Sequence, residues 1–313
     1  MLVPTHHAQR ATLNANAMNV AFIGLGAIGT PMARRVAEAG FPLSVWNRTE
    51  SRAREFAAAT KAKVAATPAD AAREADVVIT CLPNSPEVAA LLDGSSGLLA
   101  GMRPGSTLVD CTSGQPATSR LIAERLRRER QIDFIDAPVS GGVSGAEKGA
   151  LTVMVGGDEA VLERVRPVLA SFGQKIVHCG AVGTGDALKA VNNALLAVHI
   201  WSTAEGLAVL AKEGVSPHVA LDVINASSGR SNASMNLFPE RVLTRAFPRT
   251  FRLALLDKDV GIAAGVAAAR RVPSPMLQLT SALWQAAHNS LGEAADHVEA
   301  VKLIEQWASV EIA

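Results

Sequence analysis

Cysteine is scarce. The 313 residues hold three, Cys81, Cys111 and Cys179. Scattered thiols of this kind supply neither a framework of bridges nor the paired spacing of a zinc site. A reduced, cytoplasmic protein without a metal is therefore expected. An excess of either charge is missing as well: 30 Lys and Arg stand against 29 Asp and Glu, a formal net charge of +1. That balance offers no basic stripe to a nucleic-acid backbone or an anionic membrane, so neither is an expected partner. No apolar run reaches the ~18 residues of a membrane span. The opening MLVPTHHAQRATLNANA lacks the apolar stretch of a secretory signal, and residues 1–17 are expected to be a disordered extension. What is abundant is apolar side chain, 49% against 19% charged. Over a length suited to two domains, that is enough for a substantial core.

From residue 19 short apolar runs alternate with helical stretches. Residues 20–24, 43–47, 77–83, 107–112, 132–138, 151–157 and 174–180 read as strands. Residues 30–39, 50–59 and 68–74 read as helices. Such alternation implies crossover connections and a mainly parallel sheet covered on both faces. Past residue 183 strand signals almost vanish. A long helix is expected over 186–214, apolar enough to be buried on most faces, followed by helices over 217–224, 252–269, 274–292 and 298–307. The expected organisation is an α/β domain of the doubly wound type over 18–183 and an all-α domain over 184–313.

The first strand runs into GLGAIG, Gly24-Leu25-Gly26-Ala27-Ile28-Gly29. Glycine at these three positions allows a tight turn, close approach of backbone to a pyrophosphate, and close packing of helix on strand. The following helix N-terminus offers free N–H groups and a positive dipole end to the phosphates. The strand-before, helix-after context makes the motif specific. At the end of the second strand an NAD site wants an acid for the ribose hydroxyl. Here stand Asn47, Arg48 and Thr49. Arg48 can pair with a 2′-phosphate, and Asn47 and Thr49 can donate to it, so NADP(H) is expected over NAD(H).

Two further constellations follow. Ser140, Gly141 and Gly142 come just after the strand at 132–138, at the carboxyl edge where open α/β sheets bind ligands. Their hydroxyl and successive N–H groups suit a carboxylate. Lys189, Asn192 and Asn193 sit at i, i+3 and i+4 on one face of the long helix, and a lysine with two amides is costly to bury without partners. His178, Cys179 and His199 read as packing residues. Asp257 and Asp259 read as acids paired with arginines on solvated faces. The polar stretch 227–236 reads as a loop over the cleft, with Ser228, Arg230, Ser231 and Asn232 helping to choose the substrate.

These motifs, GLGAIGTPMA, CLPNSPEV, DAPVSGGVSGAEKGALTVMVGG, GTGDALKAVNN and LLDKDVGIA, resemble in order and spacing the β-hydroxyacid dehydrogenases, the group of 3-hydroxyisobutyrate dehydrogenase and tartronate semialdehyde reductase, related in fold to 6-phosphogluconate dehydrogenase. The resemblance implies that Lys189 is catalytic and Asn193 orients it or the substrate. It implies that Ser140, Gly141 and Gly142 hold the substrate, that Leu82 and Pro83 border the cofactor, and that Lys258 contacts it. Ser113 stands where relatives often have a threonine near the nicotinamide. A homodimer or homotetramer is implied too.

The expected reaction is reversible hydride transfer between NADP(H) and a small β-hydroxy acid or semialdehyde acid, with Lys189 as general acid and base. Three other readings are weaker. Imine reductases of this architecture generally lack the lysine. Non-catalytic members that serve as oligomerising modules replace it. Sulfonate-aldehyde reductases use an arginine where Ser140 stands.

Overall fold

The computed structural model describes residues 18–313. The extension expected over residues 1–17 therefore lies outside the described residues. The chain divides into two compact units, the first ending at Lys189 and the second Ala190–Ala313.

The first unit is built on a nine-stranded sheet among the described residues. β1 (Val20–Ile23), β2 (Leu43–Trp46), β3 (Lys63–Val64), β4 (Val77–Thr80), β5 (Thr107–Asp110) and β6 (Asp133–Asp136) pair in parallel in the order β3-β2-β1-β4-β5-β6. The chain then turns back. β7 (Val139–Ser140) and β6 both pair antiparallel with β8 (Leu151–Gly156), and β9 (Gly173–Gly180) runs parallel to β8. The reversal of strand order on either side of β1 marks the switch point at which dinucleotides bind in such sheets.

Alternation of side chains divides β1 between two cores. Val20 and Phe22 pack with Met32, Val36 and Phe56, whereas Ala21 and Ile23 pack with Val78, Leu98 and Leu126 on the other face. Both faces are covered, so every residue of β1 is buried and the strand reads as a continuous apolar run. Six of the seven expected strands ran one to three residues too far at the carboxyl edge, and the last ended at Gly180 as expected. There the chain leaves the ladder to form the loops described below.

The second unit is helical. Its core gathers Trp201, Phe238, Leu256, Val260 and Trp284. The long helix Thr184–Lys212 contributes Ala194, Ala197, Ile200, Trp201, Ala204, Leu207 and Ala208 to that core. By length and composition this helix could cross a membrane, which corrects the expectation that no segment could. It is also not buried on most faces: Leu188, Val191, Leu195 and Val209 are exposed.

The stretch expected to be a polar loop over 227–236 is helical from Ala233 onward. Ala233–Val242 winds as a π-helix with Pro239 inside it. Proline lacks the N–H that an α-turn would require, and the wider turn, closed by Leu243 N–H to Phe238 O, accommodates it. The burial of Ala233, Ser234, Leu237 and Phe238 overrides the polar composition.

Candidate active site

In the first unit the site assembles at the carboxyl ends of β1, β4, β5 and β6. After β1, Gly24 has φ of 103°, and a side chain there would run into the Cys81 carbonyl. A side chain on Gly29 would strike the Gly24 carbonyl as helix α1 (Gly29–Glu38) begins. At Gly26 nothing lies within 4 Å of an added Cβ, so that side of the turn is open. Helix α1 has no side-chain cap and no acid in its first turn. An open glycine before an uncapped helix N-terminus fits a dinucleotide pyrophosphate.

Asn47 has a different use from the one its sequence position suggested. Its Oδ1 accepts the Leu25 N–H at 2.9 Å, and its Nδ2 donates to the Thr49 carbonyl at 2.9 Å. It clasps the glycine turn to the end of β2. Arg48 and Thr49 are exposed beside it.

The loops after β4 and β5 are tied to each other. Thr80 Oγ1 donates to Asp110 Oδ1 at 2.8 Å, and the Thr112 N–H reaches the same oxygen at 3.0 Å. The Leu82 N–H donates to Thr112 Oγ1 at 3.1 Å. The Gln115 N–H donates to Ser85 Oγ at 2.7 Å. These bonds fix Leu82, Pro83 and Ser113 along one edge. Burial pushes the Asp110 carboxyl up to about 6, against the bonds from Thr112 and Thr80, and the Asp136 charge adds to the rise.

After β6, Ser140 lies in β7 and is half-buried, while Gly141 and Gly142 are exposed with φ of 135° and 64°. Gly142 opens a short helix, Gly142–Glu147, where the sequence had suggested only loop.

The helix that carries the lysine is anchored to this edge. Asp136 accepts the Gly183 N–H at 2.7 Å and the Asp186 N–H at 2.9 Å, so a carboxylate from β6 faces the start of the helix Thr184–Lys212. Burial raises the Asp136 carboxyl, and these backbone N–H groups oppose the rise. Lys189, one turn further on, is 9% exposed. Asn192 is exposed and Asn193 buried, so the face expected to hold all three splits at Asn192.

In the second unit Asn193 Nδ2 donates to Asp259 Oδ2 at 2.6 Å, with both residues buried. Its Oδ1 accepts from Asn192 Nδ2 at 3.2 Å. Asp259 Oδ1 lies 3.1 Å from Lys258 Nζ. Asp257 Oδ2 bonds His288 Nδ1 at 2.9 Å. Neither acid pairs with an arginine on a solvated face, which corrects the reading from sequence. Ser231 exchanges hydrogen bonds with Ser234, and Asn232 accepts from Asn236 at 2.9 Å, while Ser228 and Arg230 are exposed. His178 bonds the Gly157 carbonyl at 2.8 Å. The acids Asp110, Asp136 and Asp186 escaped sequence reasoning, and Asp259 was read as a surface acid although it is buried. Their one signal was an acid closing an apolar run or sitting in an apolar helix.

A glycine turn open to a pyrophosphate, and a buried lysine on a helix tied to the carboxyl edge of the same sheet, fit a nicotinamide-dinucleotide oxidoreductase. The NAD-binding domain of 6-phosphogluconate dehydrogenase matches residues 19–180, and the NAD-binding domain of NADP-dependent 3-hydroxyisobutyrate dehydrogenase matches residues 183–304. The 2-(hydroxymethyl)glutarate dehydrogenase of Eubacterium barkeri is 34% identical over 94% of this chain and 97% of its own. The NAD-dependent L-serine dehydrogenase of Pseudomonas aeruginosa is 37% identical over 85% and 91%. The structure of Mycobacterium tuberculosis 3-hydroxyisobutyrate dehydrogenase with L-serine superposes with a TM-score of 0.84 at 32% identity, over 92% of this chain and 99% of that one. The chain belongs to the β-hydroxyacid dehydrogenase family and is an NAD(P)-dependent dehydrogenase.

Proposed function

We propose that the enzyme interconverts a small β-hydroxy acid and its semialdehyde, with NADP(H) preferred and Lys189 as general acid and base. When bound, the nicotinamide dinucleotide supplies or accepts the hydride. The glycine turn and the α1 N-terminus would hold its pyrophosphate, Arg48 its 2′-phosphate, and Leu82, Pro83 and Ser113 its nicotinamide half.

The Ser140 hydroxyl and the Gly141 and Gly142 N–H groups would hold the substrate carboxylate. In reduction the Lys189 ammonium donates a proton to the oxygen that becomes hydroxyl, and in oxidation the neutral amine takes it back. Asn193, one turn along the same helix, orients that exchange with its amide fixed by Asp259. The observation that carries the reading is the buried Lys189 on a helix whose start is anchored by Asp136 to the carboxyl edge of the sheet.

The test is a panel of small hydroxy acids and semialdehydes assayed with NADPH and NADH, for the parent and Lys189→Ala. Turnover of the variant should fall by about 10²–10⁴-fold, with dinucleotide binding retained. A barely reduced rate with NADPH still bound would sink the catalytic assignment. We also propose a homo-oligomer, supported by the uncovered apolar residues of the long helix.

A further inference from the structure

Three buried acids stand at the carboxyl edge: Asp110 at the end of β5, Asp136 at the end of β6, and Asp186 in the first turn of the long helix. Asp136 is well supplied with backbone N–H donors. Asp186 is not. Its Oδ1 accepts the Gly114 N–H at 3.1 Å, and its Oδ2 lies 2.6 Å from Ser119 Oγ. Ser119 Oγ in turn lies 3.4 Å from the Gln115 carbonyl oxygen.

A hydroxyl has one hydrogen to give. With Asp186 charged, Ser119 must donate to it, and the Gln115 carbonyl keeps only the Ser119 N–H at 3.1 Å, its second lone pair unused. With Asp186 protonated, the acid donates to Ser119 and Ser119 donates to Gln115. The Gly114 N–H then meets the uncharged oxygen, and the Gln115 carbonyl gains the Ser119 hydroxyl as a second donor.

We propose that Asp186, as a neutral carboxylic acid, is a positioning residue that bolts the Ser113-Gly114-Gln115 loop to the helix bearing Lys189, and that its ionisation loosens this loop. Burial, followed by the charges of Asp136 on β6 and Asp110 on β5, pushes its carboxyl up to about 8, against the bonds from Ser119 and Gly114. The cations on the surrounding elements are Arg120, beside Ser119 with its guanidinium over Gly183, and Lys189 on the same helix.

A neutral isostere separates this from a merely structural role. Asp186→Asn keeps a carbonyl for Gly114 and an N–H for Ser119 but does not ionise, whereas Asp186→Ala loses both. The first readout is thermal stability without any ligand. An acid raised in the folded state stabilises in full below its unfolded value of about 3.9, and this is lost as pH rises to the folded value. The parent should therefore lose melting temperature relative to Asp186→Asn between about pH 4 and about pH 8. A gap that stays constant over this range overturns the proposal.

The second readout rests on the reading of Ser113 as a neighbour of the nicotinamide. Binding of NADPH and NADH is titrated by fluorescence for both proteins from about pH 6 to about pH 9. The parent should weaken by about fivefold or more across the alkaline range, with no such limb in Asp186→Asn. Alanine should weaken binding at every pH. Parallel curves for parent and Asp186→Asn overturn the proposal. If neither dinucleotide binds, the functional reading fails and the stability comparison alone decides about Asp186. Should Asp186→Ala not fold, Ser119→Ala breaks the same chain at its middle.

Discussion

Single residues divide by whether their chemistry depends on near neighbours in sequence or on distant ones. Arg48 is of the first kind. It follows β2 directly and is exposed, so its availability to a 2′-phosphate follows from position alone. Arg48→Ala removes a charge-assisted pair worth about 1.5–3 kcal/mol. The ratio of kcat/KM for NADPH to that for NADH should accordingly fall by about 10–150-fold. A ratio unchanged by the variant would remove Arg48 from the cofactor site. Asn47, its neighbour, shows the limit of such reasoning. Its amide is satisfied by Leu25, 22 positions away, and by Thr49. Asp136, Asp186 and Asp259 carry the same lesson. Their hydrogen-bond partners lie 47 to 72 positions distant, and a linear reading sees only an isolated acid.

At the scale of elements, legibility followed burial. The fully buried strands stood out as apolar runs ended by glycine, proline or a polar residue. The two-residue β3 and the four-residue helix Leu98–Gly101 did not, because segments so short carry no period. The helix Gly142–Glu147 was hidden by its glycines, which read as loop. The turn around Asp296 was equally hidden, although it organises the second unit. Asp296 accepts the Thr250 and Phe251 N–H groups at 2.7 and 2.9 Å and caps the 3₁₀ turn His297–Ala300, with Glu299 returning a bond to its own N–H. Burial alone would raise this carboxyl, but the His297 side chain and charge, together with those N–H groups, hold it well below the usual range. A depressed acid stabilises above its unfolded value, and the contribution is lost as pH falls below it. Asp296→Ala should cost about 1–3 kcal/mol or more at neutral pH in urea unfolding. The difference from the parent should shrink below about pH 4. Equal losses at acid and neutral pH would show that the cap acts by packing alone.

For the whole molecule, the sequence announced a dinucleotide sheet followed by helices, because a composition change at the glycine-rich 180–185 separates the two. The long helix, expected to be buried on most faces, leaves apolar residues uncovered. Leu188, Val191 and Leu195 are exposed at helical spacing. Light scattering behind size exclusion should report more than one copy per particle. Leu188→Glu with Leu195→Glu should shift it toward one copy, since a charge in a dry interface is costly. A parent that already elutes as one chain would remove the oligomer from the account.

The division between the two units falls inside the helix Thr184–Lys212, between Lys189 and Ala190. Lys189 thus belongs with the sheet, while Asn193, a single turn away, belongs with the helical unit. Chimeras that join the front half of one relative to the back half of another would split this couple between two ancestries. On the roles proposed for this pair, sequence drift on either side would have to respect the other, and shuffling at this seam would test inherited compatibility of the amine and its amide more directly than any exchange elsewhere along the polypeptide.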